Sequence, residues 1–558
     1  MDHERLFSPK DTLPATRRRG WRFFATACFA VVLATGVSTE TDVRLIGAVQ
    51  AQETARIEQL LSEGVDVNAA RADGVTALLW AAHWDDHATA DLLLEAGANP
   101  NAAEDQGVTP LVRAAENASV AMVSKLLAAG ADPNRAQANG LTPLITAAGT
   151  GSVAVVGTLL SAGAEVDART DETGQTALMW ATANAHYNVM EMLLEAGADV
   201  QAQSDLGFTP LLFATRNNDF KAARLLIAAG ADVNHPGSDG TYPVALAVVS
   251  GHADFVRFLL AQGADPNGTM HGASALHAAA GNIDVWIRDW LRSRHVMIGI
   301  GGRKTTGLPK GERLLVVTAL LEAGADPNAR IDVVTTMEAW LSGKHGARDA
   351  QAIGTGNLKG ATPLWVAAFR ANRESLMYIN NGRMVAPEEA LRSQPEEARI
   401  VRALLDAGAD PTVATADGTT PLMVAAGLGH STFVKAPESL PSASAEEVVR
   451  MLVEAGADVN RTNEAGFTAL HGAAFRGVTA VAEYLVGQGA DINAQDFRER
   501  TAYTIAQGTQ QSFYVQEWPA LATRLLDLGA DPTLGFGGRE SERELSRRLS
   551  QEAGADKP

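Results

Sequence analysis

Short apolar stripes recur along the chain in pairs, and each pair ends at a glycine. Between residues 109 and 134 the pattern is complete. Leu111, Ala114 and Ala115 stand at i, i+3 and i+4, the spacing of one helix face. Thr109 precedes them as a cap whose hydroxyl accepts a backbone N–H, and Pro110 takes the first helical position, where its missing N–H costs nothing. Asn117-Ala118-Ser119 reads as a turn, after which Val123, Leu126 and Leu127 form a second stripe. Gly130 closes that helix, since glycine adopts the left-handed backbone at little cost, and Ala131-Asp132-Pro133-Asn134 begins an extended turn. A hairpin this thin cannot hide its own apolar side and must lie against a neighbour.

Neighbours are supplied by repetition. The string Gly-Ala-Asp, or a close variant, recurs with its glycine at 64, 97, 130, 163, 197, 230, 263, 324, 408, 456, 489 and 529. The first six intervals are 33 or 34 residues, and the later ones are that period plus whole segments. The helix opening repeats as Thr142-Pro143-Leu144, Thr209-Pro210-Leu211, Thr362-Pro363-Leu364 and Thr420-Pro421-Leu422. Alanine replaces proline in Thr76-Ala77-Leu78, Thr176-Ala177-Leu178 and Thr468-Ala469-Leu470. A fixed period interrupted by complete insertions is the mark of a solenoid, in which each unit touches only its neighbours.

The motif closely resembles the ankyrin repeat family, whose unit carries Thr-Pro-Leu-His-x-Ala-Ala, Gly-His, Leu-Leu and Gly-Ala-Asp-x-Asn. It is matched at Ser274-Ala275-Leu276-His277-Ala278-Ala279-Ala280, at Thr468-Ala469-Leu470-His471-Gly472-Ala473-Ala474 and at Gly251-His252. The resemblance implies an all-α solenoid of about twelve helix-turn-helix units with β-turn fingers and loop insertions, and a protein that binds other proteins. His277 and His471 occupy the family's histidine position, which implies hydrogen bonds between adjacent repeats; His186, His252 and His430 read as structural in the same way.

The solenoid is expected over residues 41–533, with insertions near 286–310, 331–359, 376–397 and 431–445 and a lengthened turn near 509–518. The first repeat lacks a finger and reads as a cap. A charged tail covers 534–558, where 540–549 suits a short exposed helix. At the other end, Arg17, Arg18, Arg19 and Arg22 precede an uncharged stretch whose apolar part, Phe23–Val37, is shorter than the roughly 20 residues a membrane-spanning helix needs. Basic residues, a short apolar run and small residues after it read as a signal peptide over 1–38, cut after Gly36 or Ser38. Cleavage after Ala51 also fits locally but cuts into the first repeat, and an uncleaved anchor is the alternative. Arg18-Arg19-Gly20-Trp21 is similar to a twin-arginine signal. The expected location is periplasmic or secreted, with no membrane association after cleavage, as an exported bacterial type of ankyrin protein.

Composition narrows the function. The net charge of −19 over 558 residues repels phosphate backbones, which argues against nucleic acid. Aromatics are only 6%, in keeping with close helix packing through alanine rather than a thick aromatic core. The single cysteine, Cys28, lies in the signal segment, so no intramolecular disulfide or cysteine-based metal site can form. Gly299-Ile300-Gly301-Gly302-Arg303-Lys304-Thr305-Thr306 lacks the glycine that a phosphate loop needs directly before lysine, and reads as a flexible basic loop in a positive island running from Arg288 to Lys310. His83 and His87 have metal-ligand spacing, but the segment crosses a helix end and a turn. No Gly-x-Ser-x-Gly elbow occurs, and the recurring carboxylates are explained by turn chemistry. No catalytic residue, metal ligand or cofactor is therefore assigned, and the chain reads as no enzyme.

By position in the repeat, the resemblance places two residues after each Ala-Ala step in a concave groove. Those assigned to partner binding are His83 and Trp84, Arg216 and Asn217, Phe369 and Arg370, and Phe475 and Arg476. Trp84 and the two Phe-Arg pairs are the candidate anchors, because aromatics and arginine dominate protein interfaces; packing under the insertions or between repeats is the competing placement. Trp80, Trp180 and Trp365 are expected between repeats. The reading is a non-catalytic exported scaffold that captures an unidentified protein, its acidity favouring a basic partner. The rivals are an enzyme with a site formed by the insertions at 285–445, and a self-associating structural protein.

Overall fold

The computed structural model describes residues 42–281, 308–309, 311–332, 359–371, 379–380, 383–384, 395–429, 443–511 and 514–535. The signal-peptide residues, most of the four insertions, His430 and the tail beyond 535 lie outside the described residues. The chain divides into two compact units, 1–239 and 240–558.

The first unit holds six helix pairs: α1 (Arg44–Gln50) and α2 (Thr54–Ser62), α3 (Ala77–His83) and α4 (His87–Glu95), α5 (Pro110–Glu116) and α6 (Val120–Ala128), α7 (Pro143–Thr150) and α8 (Val153–Ser161), α9 (Ala177–Ala183) and α10 (Tyr187–Glu195), α11 (Pro210–Arg216) and α12 (Phe220–Ala228). First helices pack on first helices, and from α2 to α12 second helices pack on second helices. Threonine hydroxyls at 76, 109, 142, 176 and 209 accept the third N–H of each first helix, as the sequence anticipates. Leu78, Leu111, Leu144, Leu178 and Leu211 are at most 1% exposed, and Leu93, Leu126, Leu159, Leu193 and Leu226 are fully buried between the rows. Each such leucine contributes about 2 kcal/mol by leaving water. The turn between the two helices of a pair needs one left-handed residue, and Asp85, Ala118, Ala185 and Asn218 adopt it with φ of +55 to +59°.

The second unit repeats the scheme with α13 (Pro243–Val249) and α14 (Ala253–Ala261), α15 (Ala275–Ala280) and α16 (Arg313–Glu322), α17 (Pro363–Ala371) and α18 (Pro395–Asp406), α19 (Pro421–Ala426) and α20 (Ala443–Glu454), α21 (Ala469–Arg476) and α22 (Thr479–Gly487), α23 (Ala502–Gln507) and α24 (Pro519–Asp527). Three two-stranded antiparallel ribbons accompany the described helices. β1 (Thr269–Met270) pairs with β2 (Ala273–Ser274), and β3 (Ile379–Asn380) with β4 (Arg383–Met384). β5 (Thr509–Gln511) pairs with β6 (Tyr514–Gln516) inside the lengthened turn of the last repeat.

An asparagine ladder holds successive repeats in step. The Asn101 side chain donates to the Gly130 carbonyl (2.9 Å) and accepts from the Asp132 N–H (2.7 Å), one repeat on. Asn267 and Asn328 make the same acceptor bond, to Asp326 and Asp410, both at 2.8 Å. That bond spans 31 residues at Asn101 but 59 and 82 residues at the later two positions, so the extra segments leave the stack without changing its register. The helices that follow two of the insertions begin within the inserted residues. Glu396 and Glu397 belong to the first turn of α18, and residues 443–445 open α20. Carboxylates in a first turn offset the partial positive charge of the exposed N–H groups, which extends α18 backwards.

Candidate functional site

The face expected to meet a partner comprises the finger tips and the C-terminal ends of the first helices. In the first unit the fingers are tied by single backbone bonds. Asp105 donates to the Asp73 carbonyl, Ala138 to Gln106, Asp171 to Asn139 and Asp205 to Thr173, at 2.8–2.9 Å. The spacing depends on glycine: a Cβ on Gly140, whose φ is +78°, would sit 2.4 Å from the Asp171 nitrogen. The tips expose Asp73, Asp105, Asp171, Glu172 and Asp205, an acidic edge in which Arg169 pairs with Asp205 at 3.0 Å.

The candidate anchors part company on this face. Trp84, just beyond the end of α3, is 47% exposed, the one aromatic among the strongly exposed large apolar residues described. Its ring stacks on Trp80 (centroids 6.0 Å apart, 22° between planes), and His83 meets both edge-on at 4.8 and 5.4 Å. His83 ends α3 and His87 begins α4, so they straddle a turn; His87 instead lies 3.6 Å from Asp85. Among the described residues no group of three His, Cys, Asp or Glu side chains could hold a metal ion.

Phe475 and Arg476 are corrected: both are buried, at 0% and 6% exposure, and offer a partner no free surface. The Phe475 ring lies edge-on to Phe467 (5.6 Å) and under the Arg500 guanidinium (5.3 Å). Arg500 is itself held by Asp496 at 2.7 Å. Aromatic surface with a cation over it favours burial, and that outweighs projection. Arg370 is likewise turned inwards, its Nε donating to Glu397 at 2.8 Å, and Phe369 stacks on the buried Trp365 at 5.4 Å. Arg216 is half-buried over the Phe208 ring (6.0 Å), and burial pushes its guanidinium down to about 10. Trp180 and Trp365 are buried, and Trp80 is half-buried.

Asn217 is exposed, but its amide donates to the Ala183 carbonyl at 3.3 Å. That bond belongs to a device the sequence reading missed. A polar side chain of one repeat caps the C-terminal carbonyls of the preceding first helix, which have no partner inside their own helix. Asn117 donates to Ala82 and His83, the His186 ring bonds Gly149 and the Trp518 indole bonds Phe475, while Arg313 does the same within its own pair, bonding Ala279 and Ala280 of α15. The residue type changes from Asn to His, Arg and Trp, so no fixed motif marked the device along the chain.

His277 and His471 do bridge repeats. Each ring accepts the cap residue's N–H at Nδ1, from Ser274 (3.2 Å) and Thr468 (3.1 Å). Each then donates from Nε2 to a carbonyl of the next repeat, Ala361 (3.0 Å) or Arg500 (3.1 Å). Burial pushes His277 down to about 4 and lowers His471 as well, keeping both rings neutral.

The buried charges cluster where the first and third insertions join the helices. Arg313 begins α16, where a cation opposes the helix dipole, and its side chain is 4% exposed. Glu397 balances it and also binds Arg370, through the same carboxylate oxygen; its other oxygen, Oε2, is buried without a hydrogen-bond partner. Glu396 accepts the Gly311 and Leu314 N–H groups at 3.1 and 3.4 Å and so caps α16 from α18. Burial lowers Arg313, while Glu397 opposes the shift.

These hairpins, caps and fingers define an all-α ankyrin solenoid, and the chain belongs to the ankyrin repeat family. Sequence models described as ankyrin repeats (3 copies) match residues 45–137, 123–204 and 211–295, and one described as ankyrin repeats (many copies) matches 185–227 and 439–486. The chain is 35% identical over 227 residues to Ankyrin repeat and SOCS box protein 16 of Homo sapiens, covering 38% of this chain and 45% of that protein. It is 36% identical over 118 residues to Alpha-latroinsectotoxin-Lt1a of Latrodectus tredecimguttatus, covering 21% of this chain and 7% of the toxin. The chain thus spans less than half the length of either relative.

Proposed function

We propose that the chain is a non-catalytic protein-binding module that captures a partner protein on the face formed by the fingers and the first-helix ends. One observation carries the reading: Trp84 is 47% exposed in an otherwise well-packed helix row, beside His83, in a unit whose fingers expose a row of carboxylates. An exposed indole on a rigid scaffold gains its largest return from an interface. Acidity favours a basic partner, which the field steers towards the face. Export is part of the proposal and rests on the sequence of residues 17–39 alone; the bacterial kind of export likewise rests on Arg18-Arg19, the two relatives coming from a human and a spider. Among the described residues no helix is long and apolar enough to cross a membrane.

A pull-down from the exported fraction, with and without deletion of residues 286–310, tests the binder. Recovery of one specific partner supports it. Turnover of a small molecule by the purified chain, or concentration-dependent assembly without a partner, replaces it with the enzyme or the self-associating protein. The mass of the secreted chain tests export: loss of about the first 36–38 residues is expected from the signal pattern, and retention of Met1 refutes processing.

A further inference from the structure

The Trp84 corner is more specific than a general protein-binding face. Trp80 stacks on the Trp84 ring and His83 packs against it at 62°, so the 47% of Trp84 that stays exposed forms an aromatic shelf held by its neighbours. The Asn117 bond to the His83 carbonyl (2.9 Å) brings the end of α5, whose last residue is Glu116, alongside the end of α3. Asp85 follows Trp84 directly, with 41% of its side chain exposed, and Glu116 keeps 39% exposed. Residues 71–117 carry eight carboxylates against two arginines, and both arginines are already engaged: Arg113 with Glu104 (3.3 Å) and Glu116 (2.8 Å), Arg71 with Asp73 (3.9 Å).

Three kinds of occupant can be compared. A purely apolar side chain over Trp84 would strip water from Asp85 and Glu116 without replacing it, which is costly. A polyanion is repelled by the surrounding carboxylates. A cation on a flexible stem satisfies both elements, placing its charge over the ring face and within reach of the carboxylates while its methylenes cover apolar surface. We infer that the shelf of Trp84, Trp80 and His83 is a cation-binding subsite that takes an arginine or lysine side chain from an extended basic segment of a partner protein. The inference rests on the proposed reading as a binder and assigns that partner its chemistry.

The test uses the full chain and a fluorescent glycine–arginine peptide, with a second peptide in which citrulline, neutral and of the same shape, replaces arginine. The arginine peptide is expected to bind, to weaken with added salt, and to lose about tenfold in affinity with Trp84→Ala. Trp84→Phe should fall between, Asp85→Asn should weaken binding, and Leu526→Ala, an exposed apolar control elsewhere, should change nothing. Trp84 lies on the surface, so circular dichroism of Trp84→Ala should match the wild type and exclude unfolding as the cause. Equal binding of the citrulline peptide, no binding of the arginine peptide to the wild type, or an affinity for Trp84→Ala within about twofold of wild type, a difference too small for a buried anchor, overturns the subsite. Recovery of the same partner protein by wild type and Trp84→Ala overturns the subsite and leaves the binder standing. Binding of the arginine peptide at Trp84 by a chain that captures no protein overturns the binder and leaves the subsite.

Discussion

Removing the charge of Glu397 gives the sharpest test of how the second unit is held together. Glu397→Gln keeps the size and one accepting oxygen, but leaves Arg313, 4% exposed, without its counter-charge. Breaking a buried pair on one side costs about 3–5 kcal/mol, because an uncompensated charge stays out of water. Arg370, 26% exposed, can turn towards solvent and recover part of its own loss, which places the expected cost near the lower limit, about 3 kcal/mol. Arg313→Met alone leaves Glu397 paired with Arg370 at 2.8 Å but strips the Ala279 and Ala280 carbonyls of their donor, and should also destabilise these helices. The double variant, Glu397→Gln with Arg313→Met, removes the buried cation together with the charge that balanced it. It should cost clearly less than the two single costs added, with a coupling energy of about 2–3 kcal/mol. A repeat array does not unfold as one unit, so the readout should be local. Amide hydrogen exchange at Val316, Val317 and Leu320 in α16, and at Ile400, Val401 and Leu404 in α18, reports the opening free energy of these two helices, all six residues being buried. A loss below about 1 kcal/mol for Glu397→Gln, or strict additivity of the two variants, would mean that the cluster is solvated and that the charge does not organise these helices.

Other outcomes follow from single bonds. His277 is neutral when folded, with its ring lowered from 6.5 to about 4, so its contribution is full above pH 6.5 and is lost as the pH falls towards 4. That loss reaches about 3 kcal/mol and should flatten in His277→Gln when unfolding is followed between pH 7 and 4; parallel profiles for the two chains would remove the histidine from the acid response. Asp167 stands where other repeats carry the ladder asparagine and keeps only the acceptor half of the bond, from the Asp199 N–H at 2.9 Å. Asp167→Asn should add the missing donor bond to the Gly197 carbonyl and stabilise the first unit by about 1 kcal/mol in urea titration; no gain would show that the ladder amide is worth no more than its hydration. Gly140→Ala drives a methyl into the Asp171 backbone and should cost about 2–4 kcal/mol, with faster exchange of the Asp171 amide, whereas an unchanged melting curve would mean that the fingers are free to shift.

The sequence by itself determined the repeat. Period, threonine caps, helix-closing glycines and the Leu111 and Leu126 stripes all act over a few residues, where backbone sterics and local hydrogen bonds decide. The resemblance to the ankyrin motif implied that His277 and His471 bridge neighbours, and the structure makes those bonds, to Ala361 and Arg500. Which candidate anchors stay exposed was decided by tertiary structure. Phe475 and Arg476 occupy the places of His83 and Trp84 in their repeats, but Phe475 lies against Phe467 and Arg500, and both it and Arg476 are buried, while Trp84 meets the rings of Trp80 and His83 and stays 47% exposed. Arg370 reads as an interface arginine along the chain, yet Glu397, 27 residues on, draws it inwards at 2.8 Å. The same holds for the caps that Asn117, His186 and Trp518 supply to the preceding repeat and that Arg313 supplies across an insertion to its own. Partners so far apart in sequence leave no local periodicity, and their choice rests on the burial and charge balance of the assembled stack.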